Sequence, residues 1–294
     1  MPIYFKICHN IPAAQLTAGS SPTHGHRPEY TAPERDGRFS RDERRPAGPR
    51  VRHPLPCEPG SSEAAPASSP ARPTRADWVR IAIFAVPYAA FFLVGVPTWL
   101  FPKSWSLTAI NLAVDTVLLI IVLALFSREF FPAFTYLRTH PFLKILLLFG
   151  LWIPVVIVQA ATRIALYGLN PPIPENQQAV INAIFDGGTG LIFCFFVAIG
   201  VPMVEEIFYR HILIGKLSAY APTWLVASIS AALFAYMHCH QWQDFFSYLP
   251  ISIVLTLVYV FSGKSVAYSW LFHALNNTIM VGLMFAMQGA LQNA

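Results

Sequence analysis

Charge is scarce in this chain of 294 residues: Asp, Glu, Lys and Arg make up 12% of it, against 55% hydrophobic residues and a mean hydropathy of +0.49. An ordinary soluble domain carries about twice that share of charge, so this class is excluded. Cysteine is scarce too. Cys8, Cys57, Cys194 and Cys239 include no CxxC pair, which removes a disulfide framework and a cysteine zinc site. Cys194 and Cys239 lie in apolar stretches and read as small packing residues. No HExxH helix occurs. A basic surface with interleaved aromatics is also missing, so the net charge of +5 does not mark a nucleic-acid partner. Of the 20 Lys and Arg, 12 fall in the first 80 residues, as do 8 of the 15 acids.

Residues 1–77 hold 13 of the 25 prolines, are rich in Arg, Ser, Gly and Ala, and show no apolar periodicity. Such a segment buries too little surface to offset its ordering entropy, and a disordered tail is expected. It lacks the basic-then-apolar pattern of a secretion signal. Its composition also fits translation starting near Val79, an alternative that tail peptides in a mass spectrum of the purified protein would exclude.

From Arg80 onward one apolar segment follows another. Spans are expected at about 81–100, 109–126, 143–161, 189–217, 222–240, 246–261 and 265–287, the sixth being short. The fold class is therefore all-α: a polytopic bundle of about seven transmembrane helices, a multi-pass protein of the plasma membrane whose partners include the lipid bilayer. Pro87, Pro97, Pro154, Pro202 and Pro250 fall in or beside spans, where kinks are tolerated. Trp99, Trp105 and Trp152 suit interfacial belts. With a cytoplasmic N-terminus, Arg128, Arg138, Lys144, Lys216 and Lys264 share the cytoplasmic side, leaving Lys103 and Arg163 opposite. The polar, Pro-rich stretch 168–182 reads as a connecting loop, with a re-entrant lid as the alternative.

The fourth span breaks the apolar pattern with Glu205, Glu206 and Arg210. Intramembrane charge costs about 2.5–3.5 kcal/mol per group on insertion scales, which makes it a functional hypothesis by default. Glu206 and Arg210 are i and i+4 and can pair, whereas adjacent Glu205 points elsewhere. Counted from the helix ends at 1.5 Å per residue, Glu205, His238, His273 and Asn277 reach overlapping depths of about 12–22 Å on three helices. Each His or Asn could instead be an interhelical hydrogen-bonding group, and Glu206 with Arg210 a structural ion pair. His240 and Gln241 read as helix-end residues, Asp115 as a lone acid in its span, and Phe234 as packing. The same buried groups would also serve a transporter or proton relay, or sit silently in a membrane scaffold.

At these residues the chain resembles the CPBP family of CAAX proteases and bacteriocin-processing enzymes, which includes type II CAAX prenyl endopeptidases and relatives of lysostaphin resistance protein A. The patterns EExxxR, FxxxH and HxxxN occur in order as Glu205 to Arg210, Phe234 to His238 and His273 to Asn277. The resemblance implies a protease core over 177–287, preceded by transmembrane helices over 78–176. It also implies hydrolysis of a peptide or membrane-protein substrate, of CAAX-like or leader-peptide type. Glu205 would activate water that His238 orients, while His273 and Asn277 stabilise the oxyanion, supported by Glu206 and Arg210. No cofactor is required by this scheme, although zinc or another divalent metal on Glu205, His238 and His273, as in a metalloprotease, is the open alternative. Tyr209-Arg210-His211 departs from the Phe-Arg-Gly common in the family, putting close packing at position 211 in question.

Overall fold

The computed structural model describes residues 72–95, 98–185 and 188–287, and among these every regular element is helical. Residues 1–71 of the expected tail lie outside them. The last few residues of that expected tail are already ordered: helix α1 (Arg75–Ala89) starts at a capping box in which Thr74 and Asp77 exchange hydrogen bonds. After a π turn at Ala90–Val94 come α2 (Leu107–Phe130), a 3-10 segment (Phe131–Arg138) and α3 (Pro141–Tyr167).

Then the structure departs from expectation. Only 168–174 is irregular, and Glu175–Phe185 forms a helix, α4. The prolines at 171, 172 and 174 stop before it, and buried Ala179, Val180, Ala183 and Ile184 give it one apolar stripe, the last three in a small cluster with Phe193, Cys194 and Val281. A helical run follows from Gly188 to Ala219, made of α5 (Gly188–Phe195), a π segment (Phe196–Gly200), α6 (Val201–Glu206), a second π segment (Ile207–Lys216) and a 3-10 turn.

The chain closes with α7 (Thr223–Met237), α8 (Trp242–Phe261) and α9 (Val266–Ala286). The short span is therefore the fifth, not the sixth: α8 has 20 residues, whereas α7 has 15 and stops before the expected 240. At 1.5 Å per residue α7 is about 22 Å long, less than the ~30 Å of a bilayer core.

The chain is an integral membrane protein. Among the described residues four helical spans are long and apolar enough to cross a bilayer unaided, including α2, α3, the Gly188–Ala219 run and α8. Burial ranks them. In α3 only 11% of the apolar stretch is buried, so Phe142, Leu146, Ile153 and Ile157 face outward as a lipid-contacting surface requires. In the Gly188–Ala219 run the share is 56%, which makes it the central element. Around it α1 stacks Tyr88 on Phe208 with ring centroids 4.4 Å apart, and the Tyr88 and Tyr209 hydroxyls meet at 3.3 Å.

The basic loops meet at one end. Arg80 bonds the Leu125 carbonyl and Glu129, Lys264 donates to Ser218 at 2.6 Å, Ser265 donates to Ala133 O, and Tyr268 donates to Lys144 O. At the opposite end Arg163 bonds the Pro172 carbonyl.

Gly190 lets α4 and α5 touch, since a Cβ there would lie 1.6 Å from the Ala183 carbonyl oxygen. Backbone cannot yield as a side-chain tip can. Gly190→Ala should therefore destabilise the detergent-solubilised protein by about 1–3 kcal/mol, whereas Gly282→Ala, where nothing lies within 4 Å, should be neutral or slightly stabilising. Thermal unfolding of both variants checks this.

Candidate active site

Glu205 and Glu206 end α6, between the two π segments. Such wide turns inside helices often sit at functional positions because they redirect side chains and carbonyls. Here two carbonyls of the first π segment fasten α9: Val197 O accepts from Asn277 Nδ2 at 2.9 Å and Ile199 O accepts from Trp270 Nε1 at 3.0 Å.

Glu206 and Arg210 are fully buried and form the expected ion pair, Oε1 to Nη1 at 3.1 Å. Glu206 does more than the expectation allowed. The same Oε1 lies 3.0 Å from His273 Nδ1, which must carry the proton because a carboxylate oxygen only accepts. His273 Nε2 is then left facing Glu205 Oε2 at 3.5 Å. The adjacent acids do not share a face, yet the imidazole spans both, one at each ring nitrogen. Arg210 is held further by Ser252 O at 3.4 Å and lies 4.5 Å from the Phe234 ring centroid.

His238 is the residue at which α7 ends. Its backbone N–H bonds Ala235 O, and its Nδ1 donates to Phe234 O at 2.8 Å, so the side chain takes the carbonyl that a continuing helix would use. The ring is stacked on Phe234 at 4.4 Å and tilted against Tyr248 at 4.9 Å. Its Nε2 is thereby fixed toward Glu205 Oε1, 3.8 Å away. Phe234, expected as packing only, also touches His273 edge-on at 5.6 Å and thus positions both histidines.

Glu205, His238, His273 and Asn277 line one cavity of about 160 Å³. All four residues expected from depth counting are brought together. Asn277 has one N–H committed to Val197 O, and its Oδ1 accepts from Asn276 at 3.1 Å. Asn276, Tyr248, Gln159 and Gln177 also line the cavity and were not expected there. A usable signal existed for Tyr248 alone, an aromatic hydroxyl one helix away from His238. Glu205, His238 and His273 have the atom types of a zinc site, but among the described residues no three His, Cys, Asp or Glu converge as a metal's ligands do.

Other polar residues stand apart. His240 and Gln241 form the turn into α8, where Asp244 Oδ2 accepts both backbone N–H groups. His211 is half-buried edge-on to Phe126 at 6.0 Å, so this position accommodates a large side chain. Asp115 is buried on α2, and among the described residues neither its Oδ2 nor Asn111 Nδ2 has a hydrogen-bond partner.

Residues 187–279 match the family described as Type II CAAX prenyl endopeptidase Rce1-like. A curated relative, UPF0177 protein YaiF of Lactococcus lactis subsp. lactis (strain IL1403), is 33% identical over 153 residues, covering 49% of this chain and 66% of that protein. The chain thus spans just under two thirds of the relative's length. No solved structure matches.

Removing one member of a buried pair strands the other charge. Arg210→Ala should lower stability by about 3–5 kcal/mol, read as early thermal unfolding in detergent. Among the described residues Asp115 has no such partner, so Asp115→Leu should leave the melting temperature unchanged or raise it; a marked drop would show that its carboxylate is paired.

Proposed function

On the premise that residues 187–279 belong to the Rce1-like family of type II CAAX prenyl endopeptidases, we propose that the chain is an intramembrane endopeptidase in which Glu205 activates water for attack on a peptide carbonyl. The observation that carries this reading is the convergence of Glu205 with His238 and His273 in one cavity, at 3.8 and 3.5 Å. These separations exceed a direct hydrogen bond, and both imidazoles present Nε2 because each Nδ1 is tied to another acceptor. Glu205 and two ring lone pairs therefore surround a space suited to a proton-donating molecule such as water.

In this mechanism Glu205 takes one water proton while the oxygen attacks the carbonyl carbon. His238, held by Phe234 and Tyr248, orients that water. The developing oxyanion is met by the second N–H of Asn277 and by His273 Nε2, to which Glu205 Oε2, 3.5 Å away, passes the water proton, with Glu206 at the other ring nitrogen. That proton then passes to the departing amine. Arg210 holds Glu206 in place through the 3.1 Å ion pair. Each step uses the side chains alone, and a metal is not required. Substrates of this reading are CAAX-like or leader-bearing peptides at a membrane. The N-terminus and the basic loops gathered at one end face the cytoplasm, as the positive-inside rule favours, in the plasma membrane.

Detergent-purified protein and Glu205→Gln, each with and without a strong chelator, should be compared on a fluorogenic peptide library. The substitution should lower cleavage about 10²- to 10⁴-fold with an unchanged melting temperature, and chelator should leave the wild type active. Loss of wild-type activity in chelator would replace the base mechanism by a metal-dependent one.

A further inference from the structure

At the end where the basic loops gather, the start of α1 meets the turn between the Gly188–Ala219 run and α7. Arg72 lies over the Tyr220 ring, 5.7 Å from its centroid, and the Trp78 and Tyr220 rings approach to 6.1 Å. Lys216 is close enough to act on Asp77 electrostatically. Two segments far apart in the chain thus build one corner, basic and aromatic, that no single stretch of sequence displays.

The charges at this corner do not balance. Asp77 accepts from the Thr74 N–H and hydroxyl and pairs with Arg80 at 3.5 Å, and Glu129 pairs with Arg80 at 2.6 Å. Among the described residues no acid forms an ion pair with Arg72, Arg75 or Lys216, which leaves three positive charges open, and both arginines are exposed. Beyond them the surface turns apolar. On α1, Val79, Ile83 and Val86 share a face and are at least half exposed, as are Trp224 and Ile229 on α7. Helix surfaces so apolar and so open face hydrocarbon, which puts the corner at the level of the lipid headgroups.

We propose that this corner is a binding site for the headgroup of an anionic phospholipid, held by Arg72, Arg75 and Lys216. The surface answers each part of such a molecule. Three unpaired cations meet a headgroup of net negative charge, Trp78 and Tyr220 present the amphipathic rings that suit the interface, and the apolar faces of α1 and α7 receive acyl chains. A zwitterionic headgroup brings its own cation and leaves the charge unanswered. Each basic side chain near an anionic leaflet strengthens the attraction about fivefold, and three together about a hundredfold. Lys216 ends the π segment that follows Glu205 and Glu206, so the lipid secures one end of the central element. The site stands independently of the endopeptidase reading.

The full chain, purified in a neutral detergent, should be titrated with phosphatidylglycerol, phosphatidylcholine or inorganic phosphate while thermal unfolding and the lipid retained in native mass spectra are followed. Phosphatidylglycerol should be retained and should raise the melting temperature to a plateau, whereas phosphatidylcholine and phosphate should do neither. The triple variant Arg72→Gln, Arg75→Gln, Lys216→Gln should need about a hundredfold more phosphatidylglycerol for half the shift. Lys103→Gln, which removes an exposed cation at the opposite end, should titrate like the wild type. Arg75 has no ion-pair partner to strand among the described residues, so Arg75→Gln alone, expected to need about fivefold more lipid, keeps the test decisive if the triple variant misfolds. The site is overturned by no shift with phosphatidylglycerol, by equal shifts with phosphatidylcholine, by a wild-type titration in the triple or Arg75 variant, or by an equal weakening in Lys103→Gln. An equal shift from inorganic phosphate overturns it in favour of a free anion.

Discussion

Everything in the centre of this protein depends on a buried chain of three groups, Arg210 to Glu206 to His273. Two of them are fully buried and the third is 3% exposed. Taking charges out of water costs several kcal/mol per ion, and close pairing recovers that cost only when remaining donors and acceptors also find partners. The chain does this in part by recruiting neighbouring elements: Ser252 O of α8 accepts from Arg210, the Phe234 face of α7 lies under its guanidinium, and α9 supplies the imidazole, while Glu206 Oε2 and Arg210 Nε are left without hydrogen-bond partners among the described residues. One ion pair therefore fixes the relative placement of four helical segments. Close approach matters here as well, because Gly215, a turn beyond Arg210, leaves room for the Tyr259 hydroxyl that a Cβ would meet at 2.6 Å.

The short α7 follows from the same chemistry. A helix of about 22 Å ends inside a ~30 Å core, and backbone groups exposed there would be costly. His238 satisfies Phe234 O with its side chain, and Asp244 collects the N–H groups of His240 and Gln241 before α8 begins. The residue that ends the helix is thus the residue that faces Glu205, so the turn and the site are one construction.

Much of this was legible in the sequence. Apolar segments located the helices, i to i+4 spacing gave the Glu206–Arg210 pair, and counting residues from helix ends put Glu205, His238, His273 and Asn277 at one level. Three things were not legible. Helix α4 was hidden because GLNPPIP and four polar residues read as loop, although Ala179, Val180, Ala183 and Ile184 carry helical spacing. The bond from Glu206 to His273 was hidden because face arguments assign a side chain to one partner, whereas a carboxylate oxygen accepts from two and an imidazole addresses two acceptors. The positioning role of Phe234 was hidden because an aromatic ring in a membrane helix looks like packing until its neighbours are known.

A purely structural polar cluster would match each acceptor with a donor, since an unmatched buried polar group costs about 1–3 kcal/mol. The outer half of this cluster follows that rule in most of its groups: both Nδ1 protons, the Arg210 charge and one Asn277 N–H all have acceptors, although Glu206 Oε2 and Arg210 Nε have no hydrogen-bond partner among the described residues. The inner half does not. Glu205 Oε1 and Oε2 face two ring nitrogens at 3.8 and 3.5 Å, acceptor against acceptor, and all three residues line the cavity. Better-satisfied groups holding poorly satisfied ones in place is a costly arrangement for stability alone. It becomes intelligible once a water molecule and a peptide bond supply the missing donors, and the buried chain behind it is what keeps that arrangement from relaxing.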